Sequence, residues 1–134
     1  MMINIGDKFE HNFSYSQEDV VLFSKVTGDN NPVHLDDEYA SKTIFKRPII
    51  HGMLGASVFS KVFGTMFPGE GTIYLTQNIQ FLKPMLVDTN YIAFFEVIEI
   101  DREKHRATVS TYVLNEDGKK VIDGNAILMH TEKF

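Results

Sequence analysis

The chain has 134 residues, 43% of them hydrophobic and 23% charged, with a formal net charge of -5. That size matches one domain able to bury a core, and the acidic balance gives no electrostatic footprint for nucleic acid or an anionic membrane. The absence of cysteine excludes a disulfide framework, thiolate catalysis and thiolate metal sites.

The first residues, Met1 to Lys8, lack a basic stretch followed by an apolar core, so no secretory signal is read there. No apolar run approaches the roughly 20 residues that cross a bilayer. A cytoplasmic location with no membrane partner is the expectation. Residues 4 to 15 alternate apolar positions through Phe9, Phe13 and Tyr15, which predicts a first strand or extended arm. Ser16 then caps a helix over about residues 17 to 27, with acids in its first turn and Val20, Val21, Phe23, Ser24 and Val26 at helical spacing.

The helix delivers the chain to Thr27-Gly28-Asp29-Asn30-Asn31-Pro32-Val33-His34. Glycine is loose and a residue before proline is pushed out of the α region, so Asp29 and His34 are expected on a tight loop. A carboxylate and an imidazole so placed can share one water, the requirement for positioned acid–base chemistry. The same residues also suit an ordinary helix end followed by an Asx turn. Asp36 predicts an N-cap for a short helix through Ser41, and Pro48 stiffens the approach to His51-Gly52.

From Gly52 to Phe67 the chain is apolar nearly all round, with Lys61 its one charge, before Pro68-Gly69 stops it. This is the pattern of a buried helix. A stripe of Met53, Ala56, Ser60, Phe63 and Phe67 runs along it, and Gly52 at its start offers a backbone N–H that a ligand can approach closely. His51 reads either as a capping residue or as part of a site. Four strand-like runs follow, Thr72 to Leu82, Asn90 to Ile100, Arg106 to Asn115 and Lys120 to His130, the last two joined by the turn Asn115-Glu116-Asp117-Gly118. Helices first and strands after predict an α+β domain over residues 1–134 with an antiparallel sheet around one buried helix.

The five histidines, His11, His34, His51, His105 and His130, show no His-x-x-x-His pairing, so no metal site is expected. His11 and His105 sit among polar residues and read as solvated. No Gly-x-Ser-x-Gly elbow or phosphate-cradling loop is present.

Gly-Asp-x-Asn-Pro-x-His followed by Arg47-Pro48-Ile49-Ile50-His51-Gly52-Met53 resembles the MaoC-like hydratase family, in particular the small (R)-specific enoyl-CoA hydratases. The resemblance implies a hot-dog fold with the long helix as its sausage, a homodimer, and an acyl-CoA thioester as substrate with no separate cofactor. It implies catalytic roles for Asp29, Asn31 and His34, with the Gly52 amide as oxyanion hole, and substrate contacts from His51, Met53, Ser60 and Phe63. Phe63 stands where a smaller aliphatic residue is often found, which predicts short acyl chains. A dehydratase acting on acyl carrier protein, a hot-dog thioesterase and a non-catalytic acyl-thioester sensor remain as alternatives.

Overall fold

The computed structural model describes residues 2–134. Strand β1 (Lys8–Phe13) is followed by three helices, α1 (Gln17–Thr27), α2 (Pro32–Leu35) and α3 (Asp37–Ser41), and then by the long helix α4 (Gly52–Thr65). Strands β2 (Ile73–Phe81), β3 (Tyr91–Asp101), β4 (Arg106–Leu114) and β5 (Lys120–Met129) complete the chain. All pairings are antiparallel, in the order β1-β3-β4-β5-β2.

Two periodicities place the core. Along β3 the buried positions Tyr91, Ala93, Phe95 and Val97 alternate with half-buried ones, the two-residue repeat of a sheet with one face inward. That face meets Leu54, Val58, Phe59, Val62 and Phe63 of α4 in one apolar cluster. Phe59 and Phe63 both present edges to Phe95, with ring centroids 5.8 and 5.3 Å apart, an arrangement favoured by the ring quadrupoles. This is the hot-dog arrangement that the resemblance implies: a sheet against one long helix.

α1 begins at a capping box, in which Ser16 Oγ accepts from the Asp19 N–H while Asp19 accepts from the Ser16 N–H. It ends at Gly28, whose φ of 80° is the left-handed conformation that lets the chain turn away. The chain departs from the expected loop next. Asn31 Oδ1 accepts from the Val33 N–H at 3.2 Å and Pro32 fills the first helical position, so His34 lies on the one-turn helix α2.

Strand β2 lies at the sheet edge and stays largely open on both faces, with Ile73, Leu75 and Phe81 all more than a third exposed. No helix of the described residues is long and apolar enough to cross a membrane.

Candidate active site

Three pieces of backbone converge at the start of α4: the turn after α1, helix α2, and the segment Ile49–Gly52. Main-chain bonds tie them together. The Ile49 N–H donates to the Val33 carbonyl at 3.2 Å, and the Ile50 N–H to the Met85 carbonyl at 2.8 Å. Gln17 of α1 donates to the His34 carbonyl at 3.0 Å, fixing α2 against the rest.

His34 is buried, and its Nδ1 lies 2.7 Å from the Ile49 carbonyl oxygen. A carbonyl only accepts, so Nδ1 carries the proton and Nε2 keeps its lone pair. Burial lowers the His34 pKa from its ordinary 6.5, and nearby His51 lowers it further, against the opposing pull of the Ile49 hydrogen bond and the Asp29 charge. The result is an imidazole held neutral with one bare nitrogen.

Asp29 is exposed on the turn. Its main-chain N–H donates to Thr27 Oγ1 at 3.2 Å, and its Oδ1 accepts from the Asn31 N–H at 3.4 Å. Asn31 thus reaches Asp29 through its backbone, while its own side-chain oxygen is committed to capping α2.

His51 is 2% exposed. Its ring stacks on that of His34, centroids 3.9 Å apart and planes 29° apart, with Phe23 against it at 4.8 Å. Nε2 lies 3.0 Å from the Asp29 carbonyl oxygen and 3.1 Å from Ser24 Oγ. Asp29, His34 and His51 together bring one donor atom each within 4.8 Å of one another. Folding therefore makes a histidine–carboxylate cluster that linear spacing does not display.

At the N-terminus of α4, His51 makes no side-chain cap, and the Gly52 N–H has no backbone acceptor among the described residues. An uncapped helix start concentrates unsatisfied donors and the positive end of the helix dipole. It opens on a cavity of about 440 Å³ lined by Asp29, His51, Gly52, Met53, Phe81 and Lys83 among others. Phe81 lies so close over Gly52 that an added Cβ would come within 2.9 Å of its ring.

Met53 also lines a second cavity of about 340 Å³, between α4 and β2, with Ser60, Tyr74 and Gln77. The Tyr74 hydroxyl donates to Gln77 Oε1, and Gln77 Nε2 donates to Thr111 Oγ1 at 3.0 Å. Ser60 borders this space. Phe63 does not: it is 1% exposed and sits behind Tyr74, ring centroids 5.1 Å apart. It can shape the cavity only by supporting Tyr74.

The other histidines also differ from expectation in detail. His11 is half-buried and its Nε2 has no partner among the described residues. Burial, with Lys61 nearby, lowers its pKa. His105 is half-buried, with Nδ1 at 2.9 Å from the Phe134 carbonyl. Ser24 and the Ile49 carbonyl were not readable as site groups; a serine inside an apolar helical run, needing a buried partner, was the available signal.

Residues 3–119 match the protein-family profile described as MaoC like domain. Over 126 residues, 94% of both chains, the sequence is 36% identical to the (R)-specific enoyl-CoA hydratase of Aeromonas caviae. The fold superimposes on the unliganded R-hydratase PhaJ1 from Pseudomonas aeruginosa with a TM-score of 0.92 and 41% identity, covering 98% of this chain and 84% of that one. It is also 34% identical, over 96% of this chain and 78% of the relative, to the mitochondrial 3-hydroxyacyl-(acyl-carrier-protein) dehydratase FERN of Solanum lycopersicum.

Proposed function

We propose a function from one premise: the chain belongs to the MaoC-like domain family. It is a hydro-lyase, an (R)-specific enoyl-CoA hydratase that adds water reversibly across the C2=C3 bond of a short trans-2-enoyl-CoA. The observation that carries this reading is the clustering of the Asp29 carboxylate and the His34 ring with His51, the residue just before the unsatisfied Gly52 N–H at the start of α4.

Hydration puts hydroxyl on C3 and a proton on C2, while the thioester oxygen takes up charge in between. In the proposed mechanism Asp29 and His34 hold one water between them. Nε2 of His34 removes a proton as the oxygen attacks C3, the Gly52 amide holds the developing oxyanion, and the proton on His34 is returned to C2. No outside acid is needed and no separate cofactor enters; coenzyme A is part of the substrate. Asn31 contributes by fixing the Asp29 carboxylate through its main-chain N–H.

Met53 divides the two cavities, so the acyl chain would enter the space beside Ser60 and Tyr74 while the carrier arm leaves past Phe81 toward Lys83. Tyr74, backed by Phe63, limits the depth of that space and supports the short-chain preference. The open edge and apolar exposure of β2 support a homodimer, and we place the protein in the cytoplasm as a single domain. The reverse reaction on acyl carrier protein would use the same groups, and the likeness to the plant dehydratase keeps that reading open.

Loss of the enoyl-thioester absorbance of crotonyl-CoA tests the assignment. The wild type should yield the (R)-3-hydroxy product, and Asp29→Asn or His34→Ala should each lose roughly 10²–10⁴ in turnover. Wild-type turnover in Asp29→Asn would refute it.

A further inference from the structure

We infer that His51 is a positioning residue rather than a substrate contact: Nε2–H holds the main chain of Asp29 while the ring face braces His34. The inference deepens the hydratase reading and rests on it.

Its basis is the pair of atoms around Nε2. The Asp29 carbonyl at 3.0 Å can only accept, so Nε2 must carry the proton, and Ser24 Oγ at 3.1 Å takes a second share of it. Were Nε2 bare, two lone pairs would face each other at that distance. The opposite nitrogen, Nδ1, is buried and has no partner among the described residues. Both polar contacts that His51 makes run to the turn or to α1, although its ring also borders the cavity at the start of α4.

The turn needs that support. Residues 28 to 32 are all exposed, and the side-chain bonds along them are local and long, at 3.2 to 3.4 Å. Among the described residues the His51 bond is the one link from a buried side chain to the Asp29 main chain, and it joins α1, through Ser24, to the start of α4. Because the same ring stacks on His34 at 3.9 Å, both groups proposed to hold the water take their position from one side chain. Displacing a catalytic group by about 1 Å costs on the order of a hundredfold in rate, so loss of the brace should fall on kcat.

The test compares three replacements and separates kcat from KM. His51→Phe keeps the ring and removes both nitrogens. His51→Gln places an N–H near the Nε2 position, and His51→Asn places its amide near Nδ1. Expected are a kcat about a hundredfold lower in His51→Phe with KM within about threefold, recovery to within roughly tenfold of wild type in His51→Gln, and no recovery in His51→Asn. A raised KM at unchanged kcat would mean that His51 binds substrate, and recovery by Asn instead of Gln would mean that Nδ1 is the working atom; either overturns the inference. Two readouts stand apart from turnover. Imidazole ¹⁵N spectra of the wild type should show His51 as the Nε2–H tautomer, and amide exchange at Asp29 to Asn31 should accelerate in His51→Phe. An Nδ1–H tautomer or unchanged exchange removes the brace even if the chain is a hydratase, whereas a wild type with no hydration rate removes the functional reading and leaves the brace to these two measurements.

Discussion

Gly52→Ala probes the proposed oxyanion site directly. The methyl group would meet Phe81 Cε1, Cδ1 and Cζ at 2.9, 3.0 and 3.2 Å. Ordinary carbon contacts lie at about 3.5 Å or more, so the ring must retreat by roughly half an ångström. Phe81 is 53% exposed and free to do so. Alanine also improves helix propensity by up to about 1 kcal/mol over glycine, and Gly52 does not hold a left-handed conformation. The two effects oppose each other, and Tm should stay within about 5 °C of wild type. Activity should respond quite differently. A thioester oxygen must come within about 3 Å of the Gly52 N–H, and losing one such donor costs about 10²–10³ in turnover. Since alanine keeps the N–H and spoils only the approach, the lower figure, a hundredfold or about 2.7 kcal/mol, is expected.

The assay is the rate of absorbance loss with crotonyl-CoA, run beside a thermal melt. Wild-type kcat/KM in Gly52→Ala would remove this amide from the mechanism. A Gly52→Ala, Phe81→Ala double variant then locates the cause of any loss. Recovery assigns it to the displaced ring; no recovery assigns it to the methyl group standing in the substrate's place.

The remaining expectations follow from the same geometry. With the His34 pKa lowered from 6.5, the base should stay bare below that pH, so the acid limb of kcat/KM falls below pH 6.5; Asp29→Asn, which removes a charge that raises it, should move the limb lower still, and an upward shift in that variant would contradict the coupling. For stability the sign is the same: the unfolded chain binds the proton first as pH falls, so the His34 contribution is whole above pH 6.5 and is lost between there and the lowered folded value, which urea melts of wild type and His34→Gln across that window can measure. Hydration should survive prolonged chelation although Asp29, His34 and His51 lie close enough to share a cation, because His51 Nε2 is committed to a carbonyl and its Nδ1 is buried; a rate that collapses and returns with added zinc would show otherwise. Crotonyl-CoA should turn over faster than dodecenoyl-CoA, with the gap narrowing in Tyr74→Ala, and equal rates in the wild type would sink the short-chain reading.

Local signals explain what the sequence disclosed and what it hid. Helix α1 is readable because its capping box and its terminating glycine are both short-range devices, and the four later strands because they are runs rich in β-branched and aromatic residues. Helix α2 is not, though its signals are present: Asn31 as cap and Pro32 at the first position also suit a loop, since four residues carry no periodicity of their own. α4 posed the opposite difficulty. A helix apolar nearly all round does not reveal which side lies open, and the family resemblance implies substrate contacts from both Ser60 and Phe63, three residues apart on one stripe. The fold exposes the first and buries the second behind Tyr74, a residue of the distant strand β2. The stacking of His34 on His51 is likewise a product of tertiary structure, because nothing in a seventeen-residue separation specifies that two rings will meet.

The same helix separates addition from hydrolysis. A thioesterase must bring water to the carbonyl carbon itself, close to the oxyanion donor, and a carboxylate on or beside the central helix would serve that purpose. The open side of α4 offers Met53, Ser57, Ser60, Lys61 and Gly64, with no acid from Gly52 to Phe67. The groups able to take a proton lie on the turn after α1 and on α2, beside the start of α4 and fastened there by the Ile49 and Asp29 carbonyl contacts. A thioester whose oxygen rests on the Gly52 amide would then present its double bond, not its carbonyl carbon, to the water between Asp29 and His34. In the proposed mechanism, the lack of an acid on α4 and the fastening of the Asp29 turn by His51 together favour addition of water over hydrolysis.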